Sequence, residues 1–536
     1  MALVNPMPQQ GTTAPAVRRW SADWGVAQNN SIDDLLRLRA ETDPNWELLR
    51  WRGGAMTISE LDRRVDTLAC GLSSLGVKFD TPVVLMMGNH VDHIVSIFAL
   101  ARLGAVNVPI NPSHKGGSLT YLMQDSQARF CICDAECLAQ IEKALGSNMD
   151  SVTRIVRGQP DAAKTVHFAN VAAGSSTLSS QCAVAAEDCA VLLYTSGTTG
   201  MPKGVPMSDS MIRAAAIGCL ELSGVERGSV LHFWDPLYHV FGLESLLLAL
   251  IEPAHLVLVP RFSASRFWEE CAEFGVTHIH FVGSILPILL KQPPGPRDRA
   301  HSVRIAWGGG CPSSIWEEFE TRFGLHIREG YGLTETSSFC LINTDQVRGS
   351  VGRALAYFNV AVVDENGTPV PAGQHGQIAV RARRDGVLFT RYLNRPEATE
   401  EALQDGWFRT GDIAYCDADG NFYFIGRLKN MIRRRGENIS AAAVEDVVGR
   451  HPLIEECALI PVPSEVGEDD LKLFIRLSGP DILEPKTFWS WCAEVLPTHM
   501  LPDYAVIVEE FEKTPTQRIR KELLPKTTPE CWIKPK

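Results

Sequence analysis

A loop of small hydroxyl residues and glycines begins at Thr195, directly after the apolar run Leu192-Leu193-Tyr194. Glycines let backbone N–H groups approach phosphate oxygens, hydroxyls donate further hydrogen bonds, and a closing lysine supplies positive charge. The Gly-Lys-Ser/Thr ending of P-loop nucleotidases is missing, so the loop is of another kind. A flexible surface turn is the alternative, but the composition favours phosphate binding. The predicted phosphate-binding residues are Thr195, Ser196, Gly197, Thr198, Thr199, Gly200 and Lys203.

Three further segments combine glycines with polar residues that could bind a nucleotide. They are WGGGCP at 307–312, EGYGLTET at 329–336 and GWFRTGD at 406–412. With the loop at 195–204 they resemble the signature motifs of the adenylate-forming superfamily, which contains acyl-CoA synthetases, adenylation domains of peptide synthetases and luciferases. The matching segments follow the order of that family from about residue 30 to about residue 525, which is nearly the whole chain.

The resemblance implies a two-step reaction. Members of the family react a carboxylate with ATP to give acyl-AMP and pyrophosphate. A small C-terminal domain then rotates, and a thiol attacks the acyl-AMP. Mg²⁺ and cationic side chains offset the charge that accumulates at the α-phosphate. The expected small-molecule partners are therefore a carboxylic acid, ATP or acyl-AMP, CoA and Mg²⁺.

The resemblance also implies roles for individual residues. Tyr331 would stack on adenine, Thr334 would contact the α-phosphate, and Glu335 would help to hold Mg²⁺. Asp412 and Arg427 would bind the ribose hydroxyls. The other residues that the resemblance places at the nucleotide or at the hinge between domains are Gly309, Gly310, Glu329, Gly330, Gly332 and, for the hinge, Lys429.

The segment PLYHVFG at 236–242 resembles the part of the family that lines the acyl pocket. His239 would be an aromatic gate that moves as the thiol enters, and a histidine packed in the core is the alternative. No aspartate stands at the start of this motif to grip an amino group, and several glycines leave room. We therefore expect a bulky apolar carboxylic acid. The predicted pocket residues are Trp234, His239, Val240, Phe241, Val282, Gly283, Ser284 and Gly308.

The segment MIRRRGENI at 431–439 resembles the loop that walls the pantetheine tunnel in CoA-forming relatives. Its glycine permits close backbone approach, and its three arginines could bind CoA phosphates or form a solvated face. Free CoA is the simpler acceptor because no carrier-protein or condensation segment is recognised, while a carrier-protein thiol stays open. The predicted CoA-binding residues are Arg433, Arg435, Gly436, Glu437 and Asn438, of which Arg435 replaces the small residue usual in relatives.

One segment departs from the family pattern. Relatives carry Ser/Thr-Gly-Lys-Ile, whose lysine reaches the substrate carboxylate and the α-phosphate, where this chain has Thr516-Gln517-Arg518-Ile519. A guanidinium is planar and wider than an ammonium, and Gln517 lacks the backbone freedom of glycine. Losing one such transition-state donor costs about 10²–10³ in rate. We therefore expect an acyl-CoA ligase fold that is weak in adenylation and that converts acyl-AMP supplied by a separate enzyme.

Two other functions stay open. One is a complete ATP-dependent acyl-CoA synthetase in which Arg518 substitutes for lysine, and the other is a non-catalytic protein that binds acyl-AMP or a nucleotide. No residue pattern points to a luciferase-like oxygenase. The Gln-Arg change also resembles the paired acyl-CoA synthetases of bacterial diterpenoid (platensimycin-type) pathways, which implies a role in natural-product biosynthesis.

Helical and strand periodicities alternate through the first four-fifths of the chain, with SIDDLLRLRAETD typical of a helix and PVVLMMG and THIHFV typical of strands. This alternation predicts α/β layers with largely parallel sheets. From about Gly349, short strands separated by Asn-Gly and Asp-Gly turns predict a small β subdomain. The predicted domains are an N-terminal AMP-binding domain at 1–427, made of two α/β sheets and a β-barrel-like subdomain, and a small mobile α+β domain at 428–536.

Composition restricts the class of partner and the compartment. The formal net charge of the 536 residues is −12, which argues against nucleic acid as the main partner. The 14 cysteines form no CxxC pair, so we expect free thiols rather than a zinc site. The N-terminus lacks the apolar region of a signal peptide, and Glu244, Glu252 and Pro253 interrupt the most apolar stretch. A cytoplasmic protein without a membrane span is expected.

Overall fold

The fold is described from a computed structural model of the chain. The structure describes residues 31–159, 165–174, 182–195, 201–283, 285–428, 431–434, 437–464, 469–479, 482–514, 518–527 and 531–535. The predicted site residues that lie outside the described residues are Ser196, Gly197, Thr198, Thr199, Gly200, Ser284, Lys429, Arg435 and Gly436. For Arg433, Glu437 and Asn438 the description covers the backbone.

Residues 31–208 alternate strands with helices, as the sequence predicts. The strands are β1 (Glu47–Trp51), β2 (Gly54–Thr57), β3 (Pro82–Met86), β4 (Val106–Pro109), β5 (Phe130–Asp134), β6 (Thr153–Arg157), β7 (Val166–His167), β8 (Cys189–Thr195) and β9 (Lys203–Ser208). The helices are α1 (Ile32–Thr42), α2 (Ile58–Ser74), α3 (Val91–Arg102), α4 (Gly116–Asp125), α5 (Ala135–Leu145) and α6 (Phe168–Val171). Ser31 caps α1 by accepting the backbone N–H of Asp34, so the helix predicted to begin there is confirmed.

Residues 209–427 complete the large N-terminal domain. The strands are β10 (Val230–Phe233), β11 (His255–Leu258), β12 (His278–Val282), β13 (Ile305–Gly309), β14 (His326–Leu333), β15 (Ser338–Asn343), β16 (Arg353–Ala354), β17 (Phe358–Val363), β18 (Gly376–Ala382), β19 (Leu403–Gln404), β20 (Trp407–Cys416) and β21 (Phe422–Arg427). The helices are α7 (Asp209–Ser223), α8 (Val240–Ile251), α9 (Phe267–Phe274), α10 (Ile285–Leu290), α11 (Trp316–Phe323) and α12 (Pro396–Ala402).

The C-terminal residues form a smaller α+β unit. Its strands are β22 (Met431–Arg434), β23 (Glu437–Ser440), β24 (Ile454–Pro463), β25 (Asp469–Leu477), β26 (Tyr504–Ile507) and β27 (Trp532–Ile533), and its helices are α13 (Ala441–Val448) and α14 (Pro485–Val495). β22 and β23 pair as a hairpin, and the other strands form a sheet of order β24-β25-β26-β27.

Two mixed sheets and one antiparallel sheet build the N-terminal domain. The long mixed sheet has the order β16-β15-β14-β13-β12-β10-β11-β1-β2, with parallel pairing from β14 through to β1. The second mixed sheet has the order β7-β6-β5-β3-β4-β8-β9, in which only the pairing of β8 with β9 is antiparallel among the described strands. The antiparallel sheet has the order β17-β18-β20-β19, and β21 pairs with β20. The predicted α/β class is therefore confirmed, as is the β subdomain after Gly349.

The large and small domains have separate cores. Buried apolar clusters of the large domain end at Phe422, and those of the small domain begin at Ile432. The boundary predicted after Arg427 falls between them and stays a prediction. Polar contacts join the domains: Ser314 Oγ donates to Asp446 Oδ1 at 2.6 Å, and Lys291 Nζ donates to the backbone carbonyl of Glu455.

Two expectations from composition can be compared with the fold. Cys131, Cys133 and Cys137 are buried and unpaired, so the prediction of free thiols is confirmed for them. Throughout the described ranges, every helix is too short or too polar to cross a membrane.

Candidate active site

Two paired antiparallel strands flank the predicted phosphate loop. β8 ends at Thr195 and β9 starts at Lys203, and these two residues are register partners in the antiparallel pair. Thr195 Oγ1 donates to the Lys203 carbonyl at 3.4 Å. The strand pair therefore places a hydroxyl and an ammonium on either side of the loop at its base.

Tyr392 lies between Lys203 and the carboxylate predicted to hold Mg²⁺. Lys203 Nζ lies 4.6 Å from the ring centroid of Tyr392, whose hydroxyl donates to Glu335 Oε1 at 2.8 Å. Glu335 sits in a short 3₁₀ turn that starts at Thr334. Burial raises the pKa of Glu335, while the Tyr392 hydroxyl, Arg427 and Lys203 counteract that shift. The fold thus brings together residues that are more than a hundred positions apart in the sequence.

The glycine-rich segment after β13 packs too closely for side chains. A Cβ on Gly308 would lie 1.9 Å from the Phe281 carbonyl oxygen. The backbone N–H groups of Gly310 and Cys311 donate to Glu329 Oε1 at 2.7 and 3.1 Å. Burial raises the pKa of Glu329 to about 8. Glu329 therefore contributes to the predicted adenine site by fixing this backbone.

Tyr331, Asp412 and Arg427 form one polar group. The Tyr331 hydroxyl donates to Asp412 Oδ2 at 2.7 Å, and Arg427 Nε lies 3.3 Å from Asp412 Oδ1. Asp412 and Arg427 are register partners in β20 and β21, and the Asp412 side chain is 2% exposed. Asp412 thus lies within a strand, although Asp after Gly is more typical of a turn. The predicted ribose ligands lie side by side at a sheet edge.

The charges of Arg427 and Asp412 also act on Arg518. Lys513 and Ile519 form an antiparallel bridge beside it, the Thr514 N–H donates to the Arg518 carbonyl at 2.7 Å, and the Arg518 N–H donates to Thr514 Oγ1 at 3.1 Å. Although Arg518 is exposed by surface area, enough protein surrounds its guanidinium to lower its pKa, and Arg427 adds to that shift. Asp412 and Glu445 oppose it. Arg518 therefore lies near enough to Arg427 and Asp412 for their charges to act on its pKa.

His239 caps α8 next to a group of aromatic rings. Its Nδ1 accepts the backbone N–H of Phe241 at 3.4 Å, and the two rings lie 4.9 Å apart. Phe241 in turn lies 4.9 Å from the His280 ring and 6.0 Å from that of Phe339. Burial lowers the pKa of His239 to about 4, with His280 acting in the same direction and Asp235 against it. His239 is therefore a neutral ring at pH 7.

Val240 begins α8, whereas the predicted pocket residues Trp234, Val282, Gly283 and Gly308 lie at the carboxyl ends of parallel strands. Trp234 follows β10, is 3% exposed and donates its indole N–H to the His280 carbonyl at 3.1 Å. Val282 ends β12 opposite Gly309, and the Gly283 N–H donates to the Gly309 carbonyl at 2.9 Å. In open α/β sheets this end of the strands is where ligands bind.

Comparisons with known proteins identify the family. The family described as AMP-binding enzyme matches residues 36–393, and the AMP-binding enzyme C-terminal domain matches residues 443–518. The chain belongs to the AMP-binding enzyme family. Its similarity to curated relatives extends over most of both chains: crotonobetaine/carnitine–CoA ligases of Salmonella heidelberg and Escherichia coli are 28% and 27% identical, with 87% of this chain and 92% of each relative covered.

Solved structures resemble this AMP-binding enzyme as well. The anthranilate CoA ligase AuaEII in complex with anthranoyl-AMP has a TM-score of 0.85 at 25% identity, covering 92% of this chain and 96% of that one. A fatty acyl CoA synthetase of Mycobacterium tuberculosis has a TM-score of 0.70 at 26% identity, covering 92% and 97%. The o-succinylbenzoate CoA synthetase of Bacillus subtilis with its acyl-adenylate intermediate has a TM-score of 0.81 at 24% identity, covering 92% and 98%, which shows the shared fold.

The segment predicted to bind CoA forms the β22–β23 hairpin of this AMP-binding enzyme. Arg433 pairs in register with Asn438, and Arg434 pairs with Glu437. Arg434 is 2% exposed, donates to the carbonyls of His499 and Leu501, and forms an ion pair with Asp503. Of the three successive arginines, Arg434 is thus engaged inside the small domain.

Sequence reasoning missed several residues of the site. Tyr392 links Lys203 to Glu335, yet nothing near it in the sequence marks it as a site residue. Asp235 holds His280 Nδ1 at 2.5 Å in a buried pair behind His239. A histidine on an apolar strand and a buried aspartate give a weak signal, because they are distant in sequence and meet only in the fold.

Proposed function

We propose that this AMP-binding enzyme forms acyl-CoA thioesters from acyl-AMP and CoA, and that it adenylates its acid slowly. The acid is a bulky apolar carboxylic acid. In the favoured half-reaction the CoA sulfur bonds to the acyl carbon, the bond from that carbon to the phosphate oxygen breaks, and AMP leaves with the electron pair. The thiol proton goes to solvent.

The single observation that carries the activity is the convergence of the nucleotide residues. Tyr331, Asp412 and Arg427 are joined by contacts of 2.7 and 3.3 Å, and Arg518 lies within their electrostatic field. This arrangement suits a ribose and an α-phosphate next to the gate residue His239. A neutral His239 ring can move aside without breaking an ion pair, which suits a gate for the incoming thiol.

The residues fit Mg²⁺ bound mainly through the nucleotide. Among the described residues no group of three or more His, Cys, Asp or Glu could hold a metal ion. Mg²⁺ typically uses one or two carboxylates together with substrate phosphates, so a single carboxylate suits it. Glu335 would hold the ion, which would offset phosphate charge during adenylation. Tyr392 and Lys203 orient that carboxylate.

Slow adenylation follows from the chemistry of position 518. A lysine ammonium is a compact charge that can reach two oxygens at once, whereas a guanidinium is wide and needs a fork-shaped set of acceptors. In the proposed scheme, thioester formation does not require Arg518. A separate enzyme would then supply acyl-AMP, as in the paired synthetases of bacterial diterpenoid pathways, and we propose a cytoplasmic biosynthetic role of that kind with free CoA as acceptor.

A complete ATP-dependent synthetase is the second candidate, and one observation favours it. Asp412 and Arg427 lie near enough to Arg518 for their charges to shift its pKa. A cation in that position could stabilise the adenylation transition state even without lysine geometry.

Two assays on the same protein separate the candidates. One follows acid-dependent exchange of pyrophosphate into ATP, and the other mixes synthetic acyl-AMP with CoA and measures acyl-CoA. We expect acyl-CoA in the second assay and little exchange in the first. Robust exchange would show the complete synthetase, and failure of both assays across a panel of acids would indicate a protein that only binds.

A further inference from the structure

Four buried polar side chains lie behind the aromatic rings next to His239. They are Glu244 on α8, His280 on β12, Trp307 on β13 and Ser338 on β15, with exposures of 0%, 2%, 1% and 3%. We call these four residues the polar cluster. Except for β15, these elements also supply predicted acyl-pocket residues, and Phe241 lies on the same helix as Glu244 and one turn before it.

The polar cluster is rich in unpaired hydrogen-bonding atoms. Within the part of the chain that the structure describes, both carboxylate oxygens of Glu244, His280 Nε2, Trp307 Nε1 and Ser338 Oγ have no hydrogen-bond partner. Ser338 and Cys219 lie close enough to the Glu244 carboxylate to affect its pKa, but no bond of normal geometry forms. Buried polar groups are nearly always paired, so a cluster of unpaired atoms indicates a polar ligand group.

Ring contacts connect the polar cluster to the gate. Trp307 and His280 lie 4.4 Å apart, and Phe241 bridges from His280 to His239 with centroid distances of 4.9 Å on each side. Phe339, which directly follows Ser338, lies 6.0 Å from Phe241. These ring contacts form a continuous packed connection between His239, the predicted gate, and the polar cluster.

The polar cluster offers more acceptors than donors. His280 Nδ1 lies 2.5 Å from Asp235 Oδ1, and the tautomer that donates its Nδ1 hydrogen to this carboxylate presents Nε2 as an acceptor. In its ionised form, which dominates above about pH 7, the Glu244 carboxyl offers two acceptor oxygens, and Ser338 can accept or donate. The complementary ligand group is therefore a donor such as a hydroxyl or an amino group.

We propose that the substrate is a bulky carboxylic acid with a hydroxyl or amino group remote from its carboxylate, and that Glu244 accepts a hydrogen bond from that group. The proposal rests on the proposed function, since the occupant is an acyl group only if the site handles acyl-AMP. A pocket built to hydrogen-bond a substrate hydroxyl discriminates strongly against the analogue that lacks it, because its own buried groups are then left unpaired.

The test uses pairs of synthetic acyl adenylates that differ in one group. They are para-hydroxybenzoyl-AMP and para-aminobenzoyl-AMP against para-methylbenzoyl-AMP, and omega-hydroxyhexanoyl-AMP against heptanoyl-AMP. Binding is measured by calorimetry and turnover with CoA by acyl-CoA formation. In at least one pair we expect the donor-bearing member to bind about tenfold more tightly or better. Glu244→Leu should reverse that preference, and Glu244→Gln should reduce it.

Glu221→Gln is the matched control. Burial raises the pKa of Glu221 to about 7, as it does that of Glu244, but Glu221 lies on α7 outside the polar cluster. This control should keep the donor preference. Equal binding within every pair, no binding of either member, or an equal effect of Glu244→Leu on both members would overturn the inference. Binding without turnover would contradict the proposed thioester formation. The binding preference for the donor-bearing adenylate could still be measured in that case.

Discussion

The hydroxyl of Tyr331 donates a 2.7 Å hydrogen bond to Oδ2 of Asp412. Tyr331 belongs to β14 in the long mixed sheet, whereas Asp412 belongs to β20 in the antiparallel sheet. One hydrogen bond therefore connects two sheets at the predicted adenine and ribose positions. Because Asp412 is also paired with Arg427, the position of a ribose-binding carboxylate depends on residues from both sheets.

Tyr331→Phe tests that dependence. The ring that would stack on adenine is kept, but the hydrogen bond to a charged acceptor is lost, which is typically worth about 1.5–3 kcal/mol. We expect AMP affinity, measured by calorimetry, to fall by roughly 10-fold or more. Tyr357→Phe serves as the control, because the Tyr357 hydroxyl donates to the Ala214 carbonyl on α7. Equal losses in both variants would contradict the assigned role.

The layered fold and the motif positions could be predicted from the sequence. The runs PVVLMMG and THIHFV contain β3 and β12, and the segment after Ser31 forms α1, since hydrophobic period and capping are local properties. The contacts of Tyr392 with Lys203 and of Tyr331 with Asp412 could not be predicted in this way. Such pairings are set by how the sheets pack against each other. The residues next to each partner in the sequence carry no signal for them.

The contacts of Glu329 could not be predicted from its motif either. Its sequence context predicts a nucleotide contact, whereas its carboxylate accepts the backbone N–H groups of Gly310 and Cys311. The motif predicts where the site lies, but the division of work between backbone and side chain follows from tertiary structure. The role of Glu329 towards a nucleotide stays a prediction.

Arg518→Lys should restore adenylation if guanidinium geometry is what limits it. We expect acid-dependent pyrophosphate exchange to rise on the order of 10-fold or more, since a missing transition-state donor costs about 10²–10³ in rate. Formation of acyl-CoA from acyl-AMP should change by less than about twofold. Arg520→Lys in the same segment is the control, because Arg520 pairs with Glu512 and Glu522 on the surface. A variant that loses the thioester step instead would assign Arg518 to that step.

Gly308→Ala should destabilise the large domain. The added methyl would lie 1.9 Å from the Phe281 carbonyl oxygen in the neighbouring strand β12, so β12 and β13 must separate. We expect a loss of about 3 kcal/mol or more in unfolding free energy, measured by denaturant titration. Gly117→Ala in α4 is the matched control, because nothing lies within 4 Å of its added methyl and alanine favours helix. Similar midpoints for the two variants would show that the close strand approach is not required.

Glu244→Gln should change how stability depends on pH. Burial raises the pKa of Glu244 to about 7 from 4.5, with Ser338 and Cys219 acting against the shift. Between those pH values the folded protein keeps a proton that the unfolded chain releases, so the Glu244 carboxyl destabilises the fold increasingly as pH rises and fully above about 7. Glutamine cannot ionise and escapes this penalty.

The charged and titratable groups that face Glu244 from the neighbouring elements are Cys219 on α7, Asp235 after β10, His280 on β12 and Tyr357 before β17. Their identities are unchanged in the variant, so its stability relative to wild type should rise by up to about 3 kcal/mol between about pH 5 and about pH 8. Denaturant unfolding at both pH values measures the difference. Glu270→Gln is a control for a buried carboxyl in another core, where Glu270 accepts from His232 at 3.0 Å. A stability difference between Glu244→Gln and wild type that stays constant with pH would mean that Glu244 titrates normally and is not held unpaired in the core.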